Sequence, residues 1–114
     1  MNIMTTTKIR LCEAVLTGSA ASVYGPVPAG AVVTPQAASA WNPASASAPV
    51  AVDVFIVPTG GSATDATHVG HVSVAVGRTA LLVELLNHTL NAGDQLYAVG
   101  NGCTLTVSGN MISN

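Results

Sequence analysis

Charge is what this sequence has least of. Its 114 residues include three Lys or Arg and five Asp or Glu, 7% in all, against roughly 25% in an ordinary soluble domain. The three cations, Lys8, Arg10 and Arg78, are too few to follow a phosphate backbone, so direct nucleic-acid binding is not expected. Long hydrophobic runs are missing too. The most apolar stretch, Val50 to Val57, is short and contains Asp53, so no membrane-spanning helix is expected. The opening residues lack the basic segment followed by an apolar stretch that marks a secretory signal, and none is expected. Aromatics are limited to Tyr24, Trp41, Phe55 and Tyr97, a thin supply for a sugar-stacking platform. There are two cysteines, Cys12 and Cys103, in opposite terminal regions; without a secretory signal both are expected to be reduced.

What is abundant is small apolar residues. Apolar side chains make up 49% of the chain and the mean hydropathy is +0.53, enough to drive folding despite the low charge. A lone monomer so weakly charged would have an adhesive surface, so much of that surface is expected to be covered by neighbours. The length suits one domain, spanning 1–114, with a short N-terminal extension at 1–6.

The local pattern is β. Val50, Val52, Val54 and Ile56 alternate along one face, as do Val72, Val74 and Val76, and Cys103, Leu105 and Val107 alternate with Thr104, Thr106 and Ser108. Turn residues such as Gly25-Pro26, Pro58-Thr59-Gly60-Gly61 and Asn91-Ala92-Gly93-Asp94 punctuate the chain at short intervals. They divide it into about eight strands, near 7–16, 20–25, 30–40, 48–57, 67–76, 79–86, 94–99 and 102–112. This is the spacing of an all-β antiparallel sandwich, jelly-roll-like. Leu81 to Leu86 does not alternate and reads equally as a turn or two of helix. The Ala/Ser/Pro stretch from Ala37 to Pro49 reads as a strand and loop, or an interface arm. Trp41 within it is either an interface anchor or a core residue.

Few residues are arranged for chemistry. His68, His71 and His88 are the only trio that could ligate zinc. Residues three apart on a strand point to opposite faces, so His68 and His71 converge only through a turn or bulge, and no metal site is expected. The five carboxylates are scattered with no acid/base pair, and Asp53 falls opposite the valine face. No Gly-x-Ser-x-Gly elbow and no phosphate-cradling loop is present. Asn87-His88-Thr89 fits the glycosylation pattern but is a chance match without a secretory route. No catalytic residue and no cofactor is expected, and the chain is not expected to be an enzyme.

Four segments together resemble small β-sandwich virion structural proteins of tailed bacteriophages. They are Tyr24-Gly25-Pro26-Val27-Pro28-Ala29-Gly30, Phe55-Ile56-Val57-Pro58-Thr59-Gly60-Gly61, Leu90-Asn91-Ala92-Gly93-Asp94-Gln95-Leu96 and Thr104-Leu105-Thr106-Val107-Ser108-Gly109. The resemblance covers most of the chain from Val23 onward. It implies a capsid decoration or cement subunit that coats or stabilises the head. In that role its partners are the major capsid protein or other virion proteins, it self-associates as a trimer or dimer, and it is located in virions assembled in the host cytoplasm. Tail, baseplate and fibre components share the pattern. A glycan-binding module and a metal-dependent jelly-roll hydrolase are readings from other classes. The candidate interface residues are Trp41, Pro43 and Pro49.

Overall fold

A computed structural model describes residues 4–114. Eight strands form two four-stranded sheets: β1 (Thr5–Val15), β2 (Ala21–Tyr24), β3 (Ala31–Asn42), β4 (Val50–Val57), β5 (His68–Val74), β6 (Arg78–Leu81), β7 (Gln95–Val99) and β8 (Thr104–Ser113). The order is β1-β8-β3-β6 in one sheet and β2-β7-β4-β5 in the other, and every pairing is antiparallel. Successive strands alternate between layers except β4 and β5, which pair within one sheet, and this is the jelly-roll arrangement of eight strands. The molecule is elongated along the strands, 55 × 27 × 19 Å.

Period-two alternation builds the core. Along β8 and the residue before it, Cys103, Leu105, Val107 and Gly109 are buried, while Thr104, Thr106, Ser108 and Asn110 stay partly exposed. Val33, Ala38 and Ala40 from β3, Val52 and Val54 from β4, Val74 from β5 and Leu96 and Ala98 from β7 complete the inner faces. Leu82 and Leu85, which flank and end the 3-10 turn Val83–Leu85, plug the side of the sandwich. Both readings of Leu81–Leu86 therefore describe part of it: the strand stops at Leu81 and a single 3-10 turn follows.

The Ala37–Pro49 stretch is a strand and loop, as its sequence suggests, rather than an arm: Ala37–Asn42 belongs to β3, hydrogen-bonded between β8 and β6, and 43–49 is the connection. One reading is corrected by the pairing. Thr5 and Thr6 pair with Ser113 and Ile112, so they lie in β1 rather than in an N-terminal extension; residues 1–3 of that extension are outside the described residues.

The three turn-rich segments of the phage resemblance meet at one end of the sandwich. Val27 donates its N–H to the Asp94 carbonyl (3.0 Å), Gly93 donates to the Val27 carbonyl (2.9 Å), and the Thr59 hydroxyl donates to the Gly93 carbonyl (3.2 Å). Gly25 has φ +107° and abuts Asp94 so closely that a Cβ would lie 2.7 Å from its carbonyl oxygen, so only glycine fits there.

The cysteines sit on neighbouring strands without meeting. Cys12 is paired across from Val107, while Cys103 lies four residues earlier, just before β8 and opposite Leu16, whose N–H its carbonyl accepts. At about 3.4 Å per residue that offset far exceeds the reach of a disulfide. Both thiols are free and buried.

Candidate functional site

Alternation leaves the outer face of the β1-β8-β3-β6 sheet to be filled by residues of the opposite parity, and several are large and apolar. Across one end, Val15, Thr104, Trp41 and Thr79 lie side by side on the four strands; the next row is Glu13, Thr106, Ser39 and Leu81. At the far end Val32 and Ile112 are paired. Val15 is 71% exposed, Leu81 65% and Trp41 41%. Trp41 is therefore an outward residue and not part of the core. Between these side chains lie Thr and Ser, and the charges on the strands of this face are confined to β1 and to Arg78 at the start of β6. A surface of this kind loses little on desolvation, since it has few charged groups to strip of water.

The other sequence candidates stand elsewhere. Pro43 is half-buried beside a recess of about 440 Å³ that also involves Ser47, Asn101 and Gly102, and Pro49 is exposed just before β4. Just before Pro43, at the end of β3, Asn42 is buried, and its Nδ2 donates to the carbonyls of Ala48 and Val74 at 3.1 Å each, tying the connection to both layers. The three candidates thus divide between a sheet face and a connecting loop. Val15, Leu81, Val32 and Ile112 were not singled out from sequence. The available signal was apolar residues at the positions that alternate with the buried ones, readable only once the register is known.

The outer face of the second sheet carries a different cluster. β5 has a bulge at Val69, with Val54 opposite Gly70 and Phe55 opposite His68. That extra residue puts His68 and His71 on the same face, where His68 Nε2 and His71 Nδ1 both contact Asp53 Oδ1, at 2.8 and 2.7 Å. Burial resists ionisation of Asp53, but the hydrogen bonds and positive charge of His71 and His68 prevail and hold its carboxyl below the ordinary value. Glu84, on the 3-10 turn, accepts the backbone N–H of His71 at 3.0 Å. His88 lies in the exposed loop beyond that turn and takes no part in these contacts. Beside the cluster, His68 meets Phe55 edge to face at 5.2 Å between centroids, and Phe55 is paired with Tyr97 and Tyr97 with Ser22. The sandwich thus presents one apolar, hydroxyl-rich face and one aromatic, imidazole-carboxylate face.

No protein-family model matches the sequence, and no curated protein matches it. Among solved structures, the chain is similar to one from Bacillus endospore appendages, described as a novel family of disulfide-linked pili, with a TM-score of 0.47 and 17% identity over 96% of this chain and 85% of that one. It is also similar to a chain of infectious bursal disease virus Gx strain, with a TM-score of 0.43 and 10% identity over 97% of this chain and 32% of that one.

Proposed function

We propose that the chain is a non-enzymatic structural subunit of a larger assembly, a bacteriophage virion protein that coats or cements the capsid. The observation that carries this reading is the outer face of the β1-β8-β3-β6 sheet, where Val15, Trp41, Leu81, Val32 and Ile112 are exposed among Thr and Ser. Burying apolar surface gains roughly 25 cal/mol per Å², so such a face stabilises contacts without ion pairs. The bacteriophage assignment rests on the resemblance of the turn segments. The jelly-roll holds those segments in one interlocked loop cluster, so the resemblance concerns a coherent part of the molecule.

Sedimentation at low and high salt tests the reading, because association through this face should change little as charges are screened. A stable monomer at micromolar concentration that also fails to bind capsids lacking it would refute the proposal. A glycan-binding role is the second reading, favoured by the row of His68, Phe55 and Tyr97 with Asp53 and Ser22 alongside. Binding to an oligosaccharide array that is lost on Tyr97→Ala would favour it over the first.

A further inference from the structure

We infer that the double bulge in the β1-β8-β3-β6 sheet forms a binding site for a small oxyanion, a phosphate or carboxylate group. Both strands flanking β8 break register at adjacent steps. β1 inserts Leu11 between Arg10, opposite Ser108, and Cys12, opposite Val107; β3 inserts Gln36 between Pro35, opposite Gly109, and Ala37, opposite Ser108. Bulges re-aim side chains and concentrate at functional sites. Here they surround Gly109, whose added Cβ would collide with the Thr34 carbonyl oxygen, so the backbones close up where no side chain can stand.

The result is a recess of about 530 Å³ lined by the polar side chains of Lys8, Arg10, Gln36, Ser108 and Asn110, with Ile9 and Gly109 completing it. Every one of those five side chains carries a hydrogen-bond donor, and two of them are cationic. Two of the three cations in the whole chain therefore converge on one dent. Lys8 and Arg10 are two apart on β1 and project from the same face, opposite Asn110 and Ser108. The carboxylate nearby is Glu13, bonded to Arg10 at 3.0 Å; both partners are more than half exposed, so this pair is weak and leaves most of the guanidinium free to turn to a ligand. Lys8 makes no salt bridge among the described residues. Charge-assisted bonds from Lys and Arg, with neutral donors completing the set, are what a phosphate or carboxylate oxygen cluster requires. This assignment does not depend on the assembly role.

The test is a titration of the full chain with inorganic phosphate, and separately with acetate, at ionic strength held constant with sodium chloride, followed by backbone amide shifts. A saturable response in the millimolar range, centred on Gln36, Ser108, Gly109 and Asn110, is expected, with phosphate tighter than acetate because it offers more oxygens and charge. Lys8→Gln with Arg10→Gln should weaken it at least about tenfold, and Glu13→Gln, which releases Arg10, should tighten it. All three side chains are exposed, so the variants should fold as the parent does. Shifts that never saturate, that spread evenly over the surface, or that persist unchanged in the double variant would overturn the assignment.

Discussion

Asp53 is the residue whose chemistry departs most from that of a lone surface group, since one of its oxygens accepts from two imidazoles. Its carboxyl ionises more readily in the folded chain than in the unfolded one. The stability this supplies is complete above the ordinary Asp value near 3.9 and is withdrawn as pH falls through the lower folded value. Asp53→Asn should therefore flatten the acid limb of the stability curve below about pH 4, with the gap between wild type and variant narrowing as pH falls; urea unfolding across that range reads it. The thiols give a second prediction. Burial pushes the Cys12 thiol up to about 11 and also raises that of Cys103, so the native protein should react slowly with iodoacetamide at pH 8. In denaturant without reductant both should titrate as free, and finding neither would contradict the register that keeps them apart.

β8 is the element on which the sheet depends, because β1 and β3 pair with it along nearly its whole length. Gly109 lies at its tightest point, so Gly109→Ala should lower stability by more than about 2 kcal/mol, since backbone atoms of Thr34 and Pro35 would have to move. Gly18→Ala, where a Cβ meets nothing within 4 Å, should stay within about 0.5 kcal/mol. Denaturant midpoints of the two variants decide this. The strands themselves were largely legible: Cys103, Leu105 and Val107 announce β8 by alternation, and glycine and proline mark the turns. The bulges were not. Leu11, Gln36 and Val69 are extra only relative to a partner strand, and nothing local distinguishes them. That is why His68 and His71, which strict alternation sends to opposite faces, come together in the fold, and why the Lys8–Arg10 recess was hidden. Trp41 could be named as a candidate but not aimed, because its orientation follows from the β3 register rather than from its neighbours in sequence.

At the scale of the whole molecule, the two sheet faces have separate characters, and the reading as an assembly subunit rests on the first. Trp41→Ser should weaken self-association or capsid binding at least about tenfold while changing unfolding free energy by less than about 1 kcal/mol, because the ring is outward and already 41% exposed. Sedimentation and urea unfolding of the same samples separate the two effects. A variant that unfolds easily but associates normally would point instead to a packing role for the indole.

Thr5 of the first strand is paired with Ser113 of the last. The sheet that carries Trp41 therefore has a gap through its middle until β8 is inserted, since β1 and β3 meet only through it. Pairings between strands so far apart in sequence are slow to form, because a long loop must be closed first. Val15 on β1 and Trp41 on β3 consequently share one face only while Thr104 of β8 lies between them.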